Sequence, residues 1–327
     1  MLTLFRTNHL FSSIFLVFYI LLLRASVFVA PFKWNPSGKG LLSQWLYNWI
    51  GYQTIGAQIV AILLLVVQGF LINYIVIKNR LSVEVNLFPG VFYVLVCCMI
   101  PDFLYLSPVL IGNTFILIAI SEMFSTYKVS ACADRIFNAG FWTGVAGLFY
   151  FPFLFYFIFL NSALNSLRSF NIKEWLRLSI GLLMPYLLLW MYFFATDQTD
   201  YMWQEQFANN FSFFNFGNTA ANGQTYAKVA IFLLFIAIAV VNSSSYLSKR
   251  NIQAQKKISM FYWIMTSAFI GAFFQANVAF EHLISLAPAL GVFLAFTFTN
   301  LKRQWAEAFH FLLVLAALIM QWVPWQL

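Results

Sequence analysis

The stretch TIGAQIVAILLLVVQGFLINYIVI, Thr54–Ile77, runs for 24 residues without a charged side chain. As an α-helix it would be about 36 Å long at ~1.5 Å per residue. That exceeds the ~30 Å hydrocarbon layer of a bilayer. Lys78 and Arg80 follow at once, as basic residues do at the cytoplasmic end of a span. Ten further apolar runs can be read the same way: Leu10–Ala30, Leu87–Ile100, Val109–Tyr127, Ile136–Phe151, Phe153–Leu167, Leu178–Thr196, Val229–Leu247, Ile258–Ala276, Leu283–Leu301 and Trp305–Val323. The composition agrees, with 62% of the 327 residues hydrophobic and 9% charged. A soluble domain averages about 45–50% and about 25%. The sequence therefore excludes a water-soluble fold and predicts an all-α, polytopic transmembrane bundle of about eleven spans.

The third, fifth and sixth runs are short. Pro101 closes the third and Pro152 divides the fifth from the sixth, because proline breaks the helical ladder. If the fifth and sixth form one re-entrant pair, the count falls to ten. Arg6, the run Leu10–Leu23 and the small residues Ala25, Ser26 and Ala30 have the pattern of a signal peptide, but we read this segment as the first span.

Basic residues set the orientation. With the amino terminus inside, fourteen of the eighteen Lys and Arg fall in inner segments. Only Lys33, Lys39 and Lys228 fall outside, and Arg24 lies within the first span. Basic loops resist translocation, so the carboxyl terminus is expected outside, in the inner membrane of a bacterial cell. The net charge of +8 is spread over these loops and makes no basic stripe for nucleic acid.

Two outer segments stand out. In Pro31–Gln53, residues 41–50 place Leu41, Leu42, Trp45, Leu46, Trp49 and Ile50 at helical spacing opposite Ser43, Gln44 and Asn48. This is the pattern of an amphipathic helix at the membrane interface. The segment 197–227 carries Asp197, Asp200 and Glu205 and the run Asn209–Phe216. It reads as a loop across the bundle mouth, or as a lid or docking surface. Residues 228–327 form a C-terminal four-helix part of the single membrane domain 1–327.

A charge within a span costs about 2.5–3.5 kcal/mol on insertion scales, so each intramembrane charge needs a reason. Arg24 either snorkels to the outer headgroups or holds the phosphate of a lipid-linked substrate. Asp102 follows Pro101 at the outer end of the third run, as a turn carboxylate or a base. Glu281 and His282 precede the tenth run, as a helix cap or an acid/base pair. Glu122 reads as a structural partner, and His9 and His310 as interfacial residues. Three scattered histidines make no metal cluster. Cys97, Cys98 and Cys132 read as buried, inert thiols. The sequence has no phosphate-cradling glycine loop, nucleophile elbow, His-Glu-x-x-His helix or internal repeat, and it leaves any cofactor unknown.

One span, an outer loop with an interfacial helix, then the small-residue stretch Phe137–Tyr150 and short spans: over residues 1–200 this layout resembles the C-type membrane glycosyltransferases, which use polyprenyl-phosphate sugars at the outer face. The resemblance implies an acidic base in the first outer loop and a second acid, often assisting a metal, in the next. Asp102 matches the second by topology. Pro31–Gln53 contains no Asp or Glu, so the first is missing. The run Arg168–Arg177, leading into Gly181 and Pro185, also resembles an integral-membrane family of Bacteroidota without an assigned activity. Three readings follow. One is a lipid-linked glycosyltransferase-like protein of the cell envelope using Asp102, Glu281, His282 and Arg24. The others are a non-catalytic subunit docking other membrane proteins, and a lipid or small-solute transporter. Membrane lipids, and in the first case a polyprenyl-phosphate-linked substrate, are the expected partners.

The orientation is directly testable. A cysteine introduced at Leu327 should react with an impermeant maleimide in intact cells, and reaction only after the membrane is opened would reverse the orientation.

Overall fold

The computed structural model describes residues 2–7, 9–29, 36, 38–129, 131–210, 223–248, 250–274 and 279–322. The first part of the chain folds as α1 (Leu10–Leu23), α2 (Ala25–Val29), α3 (Leu41–Ile50), α4 (Ile55–Lys78) and α5 (Phe88–Cys97). The middle forms α6 (Pro108–Phe124), α7 (Ala133–Phe149), α8 (Tyr156–Leu167), α9 (Ile172–Ala195) and α10 (Thr199–Trp203). The last third forms α11 (Gly223–Val241), α12 (Ser243–Leu247), α13 (Ile252–Phe273), α14 (Ala287–Asn300) and α15 (Arg303–Trp322). Tight 3-10 turns cover Pro101–Phe103, Phe151–Phe155 and Phe280–Leu286, and a π-helical turn covers Gln204–Ala208. No strand occurs among the described residues.

Local chemistry explains the helix starts. Thr54 accepts from the Ala57 backbone N–H at 3.1 Å, Ser107 from Leu110 at 3.0 Å, and Asn171 from Lys173 at 3.0 Å. Each satisfies an amide that the first turn leaves open. By length and composition, Ile55–Lys78, Ile172–Ala195, Phe280–Asn300 and Arg303–Trp322 can each cross a membrane. Leu183, Leu187, Trp190 and Phe194 form an exposed stripe on α9, the face such a helix turns to lipid.

The helix over residues 41–50 forms where the pattern placed it. Three differences from expectation have clear causes. The first run breaks at Arg24, between α1 and α2. The seventh begins six residues early, at Ile172, because Asn171 caps it and Glu174 in its first turn holds Arg168 at 2.8 Å. Residues 199–208, expected in a loop, are helical. Met202 and Phe207 pack against Tyr186, Leu189 and Phe193, while the buried Gln206 accepts from the Leu41 N–H (3.0 Å) and donates to the Gly147 carbonyl (2.9 Å). Residues 211–222 of that segment, most of the aromatic–Asn run, and Lys33 and Lys249 lie outside the described residues.

The centre of the bundle is α5 against α14. Every residue of α5 is buried, as are Ala287–Phe296 of α14. At Gly291 an added Cβ would stand 2.7 Å from the Tyr93 Cα, so only glycine permits the approach. Phe92 and Phe298 pack with ring centroids 4.4 Å apart. A polar chain runs through this apolar centre. The Tyr93 hydroxyl donates to Gln68 Oε1 (2.8 Å), whose amide donates to the Leu110 carbonyl (2.6 Å) and Thr114 Oγ1 (2.8 Å). Asn113 Nδ2 donates to the Ile284 carbonyl at 3.0 Å, and Tyr156 to that of Ser285 at 2.6 Å. These bonds fasten the Phe280–Leu286 turn to α6 and α8.

At the inner end as expected from the sequence, Arg168 forms a two-pronged pair with Glu174 (2.9 and 2.8 Å) and also donates to the carbonyls of Thr126 (3.0 Å) and Val129. Lys257 donates to Asn79 Oδ1 at 2.6 Å beside the rings of Phe124 and Tyr127. The three cysteines are free and buried. Burial pushes the Cys132 thiol up, which keeps it protonated and a poor nucleophile.

Helices α7 and α9 pack closely along their length. A Cβ on Gly140 would meet the Leu178 carbonyl and, at 2.9 Å, the Leu182 nitrogen, and one on Gly181 would meet the Phe137 carbonyl. Small residues let backbones touch where lipid offers no hydrophobic drive between helices. Gly140→Val should therefore cost about 1–3 kcal/mol from overpacking, read as a lower melting temperature in detergent. Ala substituted at the open Gly223, where an added Cβ meets nothing within 4 Å, is the control and should leave it unchanged.

Candidate functional site

The break between α1 and α2 puts the Arg24 guanidinium inside the protein rather than at a lipid-facing surface. Arg24 is 1% exposed, and its Nη2 donates to the Phe103 carbonyl at 3.0 Å. The Cys98 thiol lies within hydrogen-bonding reach of the guanidinium. Nε and Nη1 are buried without a hydrogen-bond partner, and no carboxylate pairs with this cation among the described residues. Burying an uncompensated guanidinium is costly, and these two nitrogens have room in their bonding for a further acceptor.

Phe103 belongs to the Pro101–Phe103 turn, which therefore ties Arg24 to Asp102. Asp102 does not cap a helix, since the N-cap of its turn is Ile100. Its carboxylate forms an ion pair with Lys228, from the second turn of α11. Lys228 is buried and lies 5.0 Å from the centre of the Phe280 ring, so a cation and an aromatic face join the two turns.

The Phe280–Leu286 turn packs directly on the Pro101–Phe103 turn and carries Glu281 and His282, both buried. The His282 ring stacks on Tyr150 at 5.4 Å with a 17° tilt. Ser285 Oγ donates to the His282 carbonyl at 2.7 Å, which fixes the turn. From the other side comes Tyr47 of α3, whose hydroxyl donates to the Leu106 carbonyl at 2.7 Å. Burial, and then the charge of the nearby Glu281 carboxylate, push the Tyr47 phenol well above its ordinary value, so it remains a donor.

Arg24, Asp102, Glu281 and His282 are thus linked through two touching turns. Lys228, Tyr47 and Tyr150 join them, and the sequence reading had not assigned these three to the site. Lys228 had a signal: it is the one basic residue between Arg177 and Lys249, at the foot of an apolar run. Nothing in the local pattern marks the two tyrosines. Lys228 occupies the Asp102 carboxylate, and no group of three His, Cys, Asp or Glu side chains comes together among the described residues. Chemically, the site offers two buried cations, two carboxylates and an imidazole.

No protein-family model matches the chain, and no curated protein does. Among solved structures, the fold is similar to that of ArnT from Cupriavidus metallidurans bound to undecaprenyl phosphate, with a TM-score of 0.56 and 13% identity over 92% of this chain and 58% of that one. More distant likenesses, with TM-scores of 0.43 and 0.44 and 11% identity, are to the Archaeoglobus fulgidus oligosaccharyltransferase in its apo form and to AglB from the same organism with an inhibitory peptide and a dolichol-phosphate. Each covers 94% of this chain and 51% of the other. The chain spans little more than half the length of these structures. The class is therefore an all-helical membrane protein, and the fold it shares is that of ArnT.

The Asp102–Lys228 pair can be tested by a double-mutant cycle. Lys228→Met alone should lower the melting temperature. The double variant with Asp102→Asn should be more stable than the two single losses add up to, by about 0.5–3 kcal/mol. Strict additivity would mean that the pair contributes nothing.

Proposed function

We propose that the protein is a polyprenyl-phosphate-dependent, glycosyltransferase-like protein of a bacterial inner membrane, working at the outer face. The observation that carries this reading is Arg24, a buried guanidinium with two nitrogens unpartnered, which bonds the same turn that holds a second buried cation, Lys228, through Asp102. A planar guanidinium binds phosphate through paired donors. The fold shared with ArnT, solved with undecaprenyl phosphate, supports the same ligand class. In this reading the chain crosses the membrane eleven times with its amino terminus inside, and α3 lies at the outer interface.

The chemistry follows from the groups present. An acceptor hydroxyl attacks the anomeric carbon of a lipid-phosphate sugar. The bond from that carbon to the phosphate oxygen breaks, and its electron pair leaves with the phosphate. Arg24 and Lys228 stabilise the charge that develops there, which is how fixed cations lower such barriers. Asp102 holds Lys228 in place. The acceptor proton goes to Glu281, with His282 beside it as a relay. Tyr47 keeps its proton and fixes the wall next to Glu281.

Undecaprenyl phosphate titrated into the full-length protein in nanodiscs tests the reading. Arg24→Gln should weaken binding at least tenfold, about 1.4 kcal/mol, and Arg24→Lys should recover part of it. Glu281→Gln should leave binding intact while removing any envelope phenotype. Equal binding by wild type and Arg24→Gln would overturn the site. A stoichiometric membrane partner in place of lipid would favour the non-catalytic subunit.

A further inference from the structure

Among the described residues, three of the concave regions lie along α9 and beside α3. Two, of about 580 and about 520 Å³, run along α9 and are lined mainly by apolar side chains such as Leu187, Trp190, Leu188 and Tyr192. The third differs in kind. It is a cavity of about 600 Å³ between α3 and the helical segment 199–208, and its walls include Gln44, Asn48, Tyr52, Tyr201, Glu205 and Asn209.

The polar groups of this cleft are held in position before any ligand arrives. Gln44 Nε2 donates to Glu205 Oε2 at 2.6 Å, and the Tyr201 hydroxyl donates to Gln44 Oε1 at 3.1 Å. Asn209 Nδ2 donates to Glu205 Oε1 at 3.3 Å, and Asn210 Nδ2 reaches the Lys39 carbonyl at 3.2 Å. Below them Gln206, wholly buried, joins α3 to α7 through Leu41 and Gly147. The helical fold of 199–208 therefore places Tyr201 and Glu205 in the cleft wall.

Its lining narrows the ligand class. Lys39 and Glu205 contribute one charge of each sign, so the cleft does not select an anion as Arg24 does. The wall carries amides and phenols in place of aliphatic side chains, so an apolar chain gains little there. Amides present donors and acceptors side by side, which matches vicinal hydroxyls. Tyrosine offers a flat apolar face with a polar edge, and Tyr47 and Tyr52 meet edge-to-face at 6.3 Å. The volume lies within the ~300–1,000 Å³ of small-molecule sites. Tyr47 lines the cleft on one side and feels the Glu281 charge on the other, so the cleft adjoins the candidate site.

We propose that the cleft between α3 and residues 199–208 is a saccharide-binding site that takes a short, neutral glycan. This extends the reading above by giving the sugar portion of a substrate its own seat, but its physical basis is independent of Arg24.

The test uses the full-length protein in nanodiscs, since sugar-based detergents would compete. Mannotriose, chitotriose and maltotriose are titrated by saturation-transfer NMR and calorimetry. At least one should bind saturably. Asn48→Leu, which puts an apolar side chain in the wall, and Glu205→Gln, which removes the charged acceptor, should each weaken it about tenfold or more, with melting temperatures confirming that both variants fold. Arg24→Gln should bind the trisaccharide as wild type does. Undecaprenyl phosphate bound equally by wild type and Arg24→Gln, with sugar binding retained, would be a failure of the proposed function alone and not of this site. No saturable binding by any of the three sugars, or affinity unchanged in both cleft variants, would overturn the proposal.

Discussion

The hydrogen bond from Tyr93 to Gln68, deep between α5 and α4, is the constraint from which the rest of the architecture can be read. In hydrocarbon no water is present to satisfy a polar group, so each must find its partner within the protein. Gln68 answers with two more bonds, to the Leu110 carbonyl and to Thr114. Asn113, on the same helix α6, holds the Ile284 carbonyl. One chain of polar contacts therefore fixes the positions of α4, α5, α6 and the turn that bears Glu281 and His282. The site depends on this interior order, because short 3-10 turns have too few bonds of their own to hold buried charges still.

The charges themselves are arranged by unequal compensation. Lys228 has Asp102 as a counter-ion, and Arg168 at the other end has Glu174. Arg24 has a backbone carbonyl and nothing anionic among the described residues. A polar network that is fully satisfied stiffens a fold, whereas one left open stores a cost that a ligand can relieve. Of these three cations, two are neutralised within the structure and Arg24 is not.

Much of this architecture could be read from the chain, for a physical reason. Apolar runs and two-faced patterns are local properties, so Thr54–Ile77 and the helix at residues 41–50 declared themselves. Proline marked the breaks at Pro101 and Pro152. The intramembrane charges were also visible, because an Arg inside an apolar run is conspicuous wherever it points. The pairing of Asp102 with Lys228 was not visible, since a contact across 126 positions leaves no periodic trace. Nor was the helix at 199–208. Its polar residues read as loop, and only the burial of Met202 and Phe207 and the reach of Gln206 make it fold. The likeness to polyprenyl-phosphate glycosyltransferases noticed in residues 1–200 finds its counterpart in a fold that aligns over nearly the whole chain.

The contact of Gly291 with Tyr93 also bears on how the molecule is made. The face of α5 that carries Tyr93 and Phe92 is completed by α14, nearly two hundred residues further along. Ribosomes add about 5–20 residues per second, so α5 emerges on the order of 10–40 s before its partner exists. Through that interval a short helix bearing the Tyr93 hydroxyl must be sheltered by α4 and α6 alone, or by the insertion machinery. Completion of the central layer thus waits on α14, and a ribosome stalled before α14 would leave an open groove at the heart of the bundle.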